Sequence, residues 1–346
     1  MQTQTRSIIL EGLDRYQVVE PMFEGLRVIL AYRGEPYSPA YIQGVSGAAF
    51  RISGICPCAP TCGVAMQPQD LARLFGYQVE HLAIQTDRPK TGDLGRLYPL
   101  EEVLARVKDE VRQGRPALLW HAFSDAEWDV VCGFDEDSGV FFGRGSYLGL
   151  EEYASAPQTR TLTGQDLCPT LGAVLIGEKQ HEYDAPAAEL TALREAVRHG
   201  HARRENAAPG GPWVFLEGNQ CYDRWVAEFR DDPERRRTAG DSYCLSVMRS
   251  THRAAAEFMR ELAPSYPMAA SQLKRAANCF EAEAETLDAC ESLLGWSAPE
   301  GPDPRRNAYA ADLLAHASDA YATGISSVEK ALRRIERELR YEKPED

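Results

Sequence analysis

Residues 128–142 read Trp128-Asp129-Val130-Val131-Cys132-Gly133-Phe134-Asp135-Glu136-Asp137-Ser138-Gly139-Val140-Phe141-Phe142. Two apolar runs flank an acidic turn that ends in glycine, which is the pattern of a β-hairpin. Another apolar run, over 116–123, comes just before it and predicts a further strand. The first half of the chain therefore contains a sheet.

Helix signals surround these strands. Proline suits the first position of a helix and glycine its end, so the sequence predicts helices over 22–32, closed by Gly34, and over 68–74. Apolar residues at helical spacing between 100 and 111 predict a third helix with one buried face. Short strands are predicted over 50–52 and 79–84. This mixture predicts an α+β domain over residues 1–182.

The second half, residues 183–346, is predicted to be a helical bundle. Helical patterns cover 186–204, 215–229, 242–262, 268–294 and 307–339, and proline-containing joints separate them. Long amphipathic helices with short connections typically pack as a bundle.

Composition excludes several classes of function. The 346 residues carry a formal net charge of −14, which disfavours nucleic acids and anionic membrane surfaces as partners. No apolar run is long enough to span a membrane, and the N-terminus has no signal-peptide pattern. The nine cysteines are then expected to be mostly reduced thiols in the cytoplasm. A homo-oligomer is left open.

Three cysteines, Cys56, Cys58 and Cys62, lie within seven residues, and Pro57 and Pro60 separate them. Thiolates are strong nucleophiles and good ligands for soft metals. Two prolines stiffen the loop, which favours a fixed presentation of the sulfurs. Packing of small apolar thiols and a disulfide are the alternatives. We predict a functional thiol or metal site here.

The chain also resembles a known family. The residues that carry the resemblance are the first helix closed by Gly34, Gly-Val-Ser-Gly-Ala-Ala-Phe at 44–50, Gly-Arg-Pro-Ala-Leu-Leu at 114–119, Val-Val-Cys-Gly-Phe-Asp at 130–135, and the helical signature at 215–225. They resemble the N-terminal domain of the butirosin-biosynthesis acyltransferase family, which is similar to the papain-like C39 cysteine peptidases. The resemblance implies a papain-like domain followed by a helical domain.

That family implies a cysteine at the start of the first helix and a histidine at the start of the hairpin strand. The matching positions hold Met22 or Phe23, and Glu127 or Trp128. An orienting aspartate is expected on the next strand, which reads Phe-Gly-Arg at 142–144. The expected catalytic residues are therefore absent from the matched positions.

Two kinds of site remain open. In the first, a thiol of Cys56, Cys58 or Cys62 is the nucleophile, with Cys58 favoured because prolines flank it, and Glu127, His121 or Asp129 assists proton transfer. Against this, Glu127 could be surface and His121 a structural histidine. In the second, the three cysteines bind zinc or another soft metal, and the fourth ligand is Cys132, His81 or His121.

Three functions follow. The first is acyl-transfer or amide-bond chemistry on a small molecule, a peptide or a carrier-bound acyl group. The second is a catalytically silent papain-like relative that acts as a binding protein. The third is a soft-metal or thiol-redox protein. No cofactor is expected apart from the alternative metal, and whether the chain is an enzyme is left undecided.

Overall fold

The computed structural model describes residues 6–18, 21–54, 66–85, 95–125, 127–163, 171–203, 205–207 and 214–341. The chain divides into two compact units. The first contains the described residues of 1–42 and 66–184, and the second those of 43–65 and 185–346. The chain thus enters the second unit early, leaves it and returns near residue 185.

The first unit contains a mixed eight-stranded sheet. Its strands are β1 (Ser7–Ile9), β3 (Tyr77–Ile84), β4 (Leu97–Tyr98), β5 (Ala117–Trp120), β6 (Trp128–Asp135), β7 (Val140–Arg144), β8 (Ala154–Pro157) and β9 (Ala173–Lys179). The order is β4-β3-β9-β5-β6-β7-β8, and β1 pairs with β6. The β3–β4 pair is parallel, and the other pairs of this sheet are antiparallel.

The helices α1 (Pro21–Tyr32), α3 (Pro68–Leu74) and α4 (Leu100–Arg112) pack on this sheet, and α2 (Pro39–Val45) follows α1. Helix α1 packs against β5 and β6, α3 against β3 and β9, and α4 against β6 and β9. The buried residues of α4 are Val103, Leu104, Val107 and Val111, at helical spacing, so its predicted apolar face is its packed face.

The second unit is mainly helical. Its helices are α5 (Ala185–Gly200), α6 (Gln220–Asp231), α7 (Ala239–Leu262), α8 (Ala270–Ala289), α9 (Glu291–Leu294) and α10 (Pro304–Tyr341). It also contains a three-stranded sheet with the order β10 (Glu205–Ala207), β11 (Val214–Glu217) and β2 (Ser53–Gly54). Among the described helices, none is both long enough and apolar enough to cross a membrane.

Residues 43–54, which we call the early segment, are fixed within this helical unit. The Tyr321 hydroxyl donates to the Phe50 carbonyl at 2.8 Å, and the Ile52 amide donates to His199 Nε2 at 2.8 Å. The Gly218 amide donates to the Ile52 carbonyl at 2.9 Å. Long-range hydrogen bonds therefore fix the backbone that leads into the cysteine stretch.

A buried polar network supports the early segment. His252 Nδ1 lies 2.6 Å from Glu283 Oε1, which also accepts the Tyr222 hydroxyl at 2.6 Å, and all three side chains are buried. Burial by itself lowers the pKa of His252, but the Glu283 carboxylate outweighs burial and raises it above its ordinary value. His252 Nε2 also lies 3.3 Å from the Arg51 carbonyl.

The predicted α+β class is confirmed at the level of a mixed sheet followed by a helical C-terminal region. Several elements differ from prediction. The predicted helix over 268–294 is a 3₁₀ turn followed by α8 and α9. The predicted helix over 215–229 is strand β11 followed by α6, because Gly218, at φ +73°, breaks the helical path between them. The predicted strand over 50–52 begins three residues later, because residues 48–50 form a 3₁₀ turn.

Candidate functional site

The start of α1 lies directly on the sheet. An added Cβ at Gly25 would lie 2.6 Å from the Tyr16 hydroxyl and 2.7 Å from Leu118 Cδ2, so the helix backbone approaches β5 closely. The same Cβ would lie 3.4 Å from Val130 Cγ2 on β6. The Tyr16 hydroxyl donates to the Trp128 carbonyl at 3.0 Å, which ties the chain before α1 to the start of β6.

The direction of α1 follows from its last turn. Arg33 donates to the Gly177 carbonyl at 2.5 Å, near the end of β9. The opposite end of β9 begins at Ala173, which pairs with Leu119 on β5. The first turn of α1 therefore points towards the sheet edge at which β5 ends and β6 begins.

Large apolar side chains occupy this edge. Phe23, in the first turn of α1, and Trp128, at the start of β6, are each 2 % exposed. The Trp120 and Trp128 rings meet edge to face at 5.5 Å. Phe23 and Trp128, one candidate at each of the two positions that the resemblance implies, thus lie in buried apolar surroundings.

A second surface lies on the other face of β6. Side chains alternate along a strand, and Val130 faces α1, so Asp129 faces away from it. The Asp129 carboxylate accepts the backbone amides of Phe123 at 2.6 Å and Ser124 at 2.8 Å. Asp129 therefore organises the loop that joins β5 to β6.

Other contacts hold this loop in an uncommon conformation. His121 has φ +57°, which is left-handed for a non-glycine residue, and its amide donates to the Glu127 carbonyl at 2.7 Å. Arg160 donates to the His121 carbonyl at 3.1 Å and pairs with Asp125 at 2.7 Å. These contacts hold the backbone between His121 and Glu127, which is two residues before Asp129.

Glu127 and Asp129, the acid pair, are 4 % and 0 % exposed. Burial raises the pKa of Glu127 to about 7, and the charges of Asp129 and Asp125 add to the rise. Burial also raises the pKa of Asp129 to about 7, although the Phe123 and Ser124 amides oppose it. Both carboxyls therefore exchange protons near neutral pH, as a general acid or base requires.

Two serine hydroxyls lie beside the acid pair. The Ser146 and Ser124 hydroxyls lie close enough to Glu127 and Asp129, respectively, to lower the pKa of those carboxyls. However, Glu127 Oε2, Asp129 Oδ1 and both hydroxyl oxygens are buried without a hydrogen bond of normal geometry. An added Cβ at Gly145 would lie 2.4 Å from both Asp129 Oδ1 and Ser124 Oγ, so these two oxygens lie together.

The loop after β7 continues from the acid pair into an apolar surface. Tyr147, Leu148 and Leu150 are 47 %, 48 % and 41 % exposed, and we call these three residues the apolar rim. Burial and the nearby charge of Glu127 raise the pKa of Tyr147, so the rim begins next to the acid pair.

The loop that carries the apolar rim has a fixed backbone. The Gly145 amide donates to the Leu148 carbonyl at 3.0 Å, which closes a turn. Arg144 donates to the Gly149 carbonyl, and its guanidinium carbon lies 4.2 Å from the centre of the Tyr153 ring.

The structure places the other predicted residues as follows. Cys56, Cys58 and Cys62 lie outside the described residues. The His121 imidazole is buried and lies 3.0 Å from Thr163 Oγ1, and burial together with Arg160 lowers its pKa. Of the alternative metal ligands, Cys132 is buried, which raises the pKa of its thiol to about 12.

The third alternative ligand, His81, lies 2.8 Å from the Leu171 carbonyl through Nε2. Within the described ranges, no three His, Cys, Asp or Glu side chains are arranged to hold a metal ion.

A cavity of about 220 Å³ lies elsewhere in the first unit, lined by Gln78, Glu80, Arg106, Glu110, Arg115, Leu175, Gly177 and Glu178. Its arginines are paired with carboxylates, including Arg115 with Glu110 at 2.6 Å. It contains none of the predicted site residues.

Sequence reasoning singled out Glu127 and named Asp129 only as an assisting residue. It missed Ser124 and Ser146. One signal was present in the sequence: Asp129 is a single acid in the otherwise apolar run 128–134. A carboxyl in a buried strand needs partners, and such groups are frequent at functional sites.

No protein-family model matches this chain, and no curated protein matches it.

Proposed function

We propose that the chain is a papain-like, C39-peptidase-like relative that lacks the cysteine–histidine chemistry and acts as a binding protein. Its ligand would be a small molecule, a peptide or a carrier-bound acyl group. One observation supports the proposal: the matched positions, Met22 or Phe23 and Glu127 or Trp128, hold neither a thiol nor an imidazole, and Phe23 and Trp128 are each 2 % exposed. Buried apolar side chains can neither attack a carbonyl group nor move a proton.

The arrangement of α1 on the sheet supports the papain-like part of this proposal. In the implied fold, the first helix starts next to the first residue of the hairpin strand. Here Gly25 packs on Leu118 and Val130, and the Tyr16 hydroxyl reaches the Trp128 carbonyl at 3.0 Å. This packing of α1 on β5 and β6 supports the papain-like part of the proposal.

The acid pair favours a second candidate function. In this alternative, a thiol of Cys56, Cys58 or Cys62 performs acyl-transfer or amide-bond chemistry, and Glu127 acts as the general base. A carboxyl with a pKa of about 7 can accept a proton at neutral pH as an imidazole would. The orientation of Asp129 away from α1 means that such chemistry would use a different face of β6.

One experiment separates the two candidates. The wild-type protein is incubated with thioesters of N-acetylcysteamine, p-nitrophenyl esters and anilides, and both turnover and ligand-induced stabilisation are measured. The binding proposal expects a rise in melting temperature with at least one acyl compound and no turnover above that of buffer. Turnover that is lost in Glu127→Gln, and in only one of the three single Cys→Ser variants, would establish the enzyme instead.

Glu151→Gln is the matched control for Glu127→Gln, because the Glu151 side chain is 87 % exposed and forms a surface ion pair with Arg15. It should behave as wild type in both measurements.

A further inference from the structure

Two buried histidines contact the same peptide group of the early segment, the one that joins Arg51 to Ile52. The Ile52 amide donates to His199 Nε2 at 2.8 Å, and His252 Nε2 lies 3.3 Å from the Arg51 carbonyl oxygen. The two side chains are 1 % and 0 % exposed and come from different helices, α5 and α7. One peptide group is thus held at both its amide and its carbonyl.

These contacts assign opposite protonation states to the two rings. His199 Nε2 accepts a hydrogen bond, so this nitrogen carries no proton and the ring is neutral, with its proton on Nδ1. His252 faces acceptors on both sides, because Nδ1 lies 2.6 Å from Glu283 Oε1 and Nε2 faces the Arg51 carbonyl. An imidazolium satisfies both contacts, since only that form has two N–H donors.

We propose that His199 and His252, the histidine clamp, form a pH-sensitive device that holds the early segment in the helical unit most tightly near neutral pH. In acid, a proton on His199 Nε2 would face the Ile52 N–H. In alkali, the Glu283 carboxylate retains the Nδ1 proton of His252, and the deprotonated Nε2 would face the Arg51 carbonyl. Either change removes a hydrogen bond from the same peptide group. The clamp lies within the second unit, so it does not depend on the proposed binding function.

The groups around His252 favour a charged ring. Glu283 of α8 also accepts the Tyr222 hydroxyl of α6 at 2.6 Å, and the Tyr321 ring of α10 stacks on the imidazole at 5.6 Å. Burial by itself lowers the pKa of His252, but the Glu283 carboxylate and the Arg51 carbonyl raise it above its ordinary value. Burial raises the pKa of both tyrosines well above its ordinary value, so they keep their protons.

The groups around His199 favour a neutral ring. Burial lowers the pKa of His199 to about 3, and the charges of Arg51 and Arg198 add to the fall. Both arginines are paired, Arg51 with Glu217 at 3.1 Å and Arg198 with Glu195 at 2.6 Å.

The two pKa shifts define the pH range of the clamp. The contribution of His199 to stability is complete above its ordinary pKa of 6.5 and is lost as the pH falls towards about 3. That of His252 is complete below 6.5 and is lost as the pH rises through its raised pKa. The Cys221 thiol, 3.4 Å from the Ile52 carbonyl oxygen, does not titrate in this range, because burial raises its pKa to about 12.

The test is hydrogen exchange of the full chain between pH 4.5 and pH 9, read by mass spectrometry on a peptide spanning residues 43–54 and corrected for the intrinsic rate at each pH. Protection should be greatest near pH 6.5 and fall on both sides, by at most about tenfold per pH unit on the acid side because one proton is bound. A peptide spanning residues 304–315 reports opening of the whole unit, and the fall is measured relative to it.

His199→Gln should remove the loss of protection in acid, because the glutamine amide can accept from Ile52 without titrating. His252→Gln should remove the loss in alkali. The matched control is His201→Gln, which replaces an exposed histidine 3.3 Å from Glu329 and should keep both losses.

Nuclear magnetic resonance of the wild-type protein with nitrogen-15-labelled histidine reads the two rings without any variant. At pH 6.5, His252 should be protonated on both nitrogens and His199 on Nδ1 alone. A neutral His252 ring or a proton on His199 Nε2 at that pH would overturn the proposal. So would protection of residues 43–54 that does not change with pH relative to residues 304–315.

Discussion

Replacing Glu127 by glutamine should make the stability of the protein less dependent on pH. The wild-type carboxyl has a pKa of about 7 in the folded protein, against an ordinary value of 4.5, because it is buried. The folded state therefore binds this proton more tightly than the unfolded state. The resulting stabilisation is complete below pH 4.5, is lost as the pH rises towards about 7, and does not change further above that.

The structure sets the size of the effect. One pKa unit corresponds to about 1.4 kcal/mol, so the difference between 4.5 and about 7 amounts to at most about 3 kcal/mol. Glutamine keeps the shape of the side chain but cannot ionise. Between pH 4.5 and pH 8, the free energy of unfolding of Glu127→Gln should therefore rise by up to about 3 kcal/mol relative to that of wild type. Any effect of the amide that is the same at all pH values does not alter this difference.

The assay is guanidinium denaturation at several pH values, followed by tryptophan fluorescence. Trp120 and Trp128 lie in the same unit as Glu127 and report on its unfolding. Glu151→Gln is the control, since its exposed side chain should leave the pH profile unchanged. If the profiles of Glu127→Gln and Glu151→Gln were parallel across this range, the buried, proton-exchanging Glu127 described above would be refuted.

Three further results are expected. Gly25→Ala should lower the free energy of unfolding by about 1–3 kcal/mol, measured by calorimetry, because its Cβ would lie 2.6 Å from the Tyr16 hydroxyl. Gly301→Ala should be neutral, since no atom of the described residues lies within 4 Å of the added Cβ. Tyr222→Phe should lower the free energy of unfolding by about 1–3 kcal/mol, because the buried Glu283 carboxylate loses a donor, and a loss below about 0.5 kcal/mol in urea denaturation would contradict this. Cys132, whose thiol has a pKa of about 12, should resist alkylation in the native protein at pH 8 and become labelled only in denaturant, as read by mass spectrometry.

Local signals predicted local elements well. The helix over 68–74 coincides with α3, because a proline at its start and Gly76 beyond its end define it within the sequence itself. The strand beginning at Trp128 was likewise predicted by its apolar run and its turn. In contrast, the sequence predicts helix where β11 forms, because these residues continue the helical pattern of α6. The strand depends instead on pairing with β2, which joins residues more than 160 positions apart.

The site was less predictable than the fold. Glu127 was singled out because it lies at the position where the resemblance implies a histidine. Its burial and its proximity to Ser146 depend on how the loop before β6 packs against the loop after β7. The sequence did not show that Asp129 lies on the face of β6 opposite α1, because this follows from Val130 packing against Gly25. Long-range packing decides which face of a strand another element covers. The sequence of a single strand shows only that successive side chains lie on opposite faces.

The early segment imposes an order on synthesis and limits how the protein can be divided. Phe50 leaves the ribosome early, yet its partners Phe258 and Phe280 and the hydroxyl of Tyr321 come more than 200 residues later. Because chains are made from the N-terminus, residues 43–54 stay without these contacts until nearly the whole chain exists. A helical fragment that starts at residue 185 would lack the early segment and the contacts of Phe50 with the buried Phe258 and Phe280. If the gene is split near residue 184, the C-terminal half should therefore aggregate. Co-expression of a peptide spanning residues 43–54 would test whether the missing segment restores its folding.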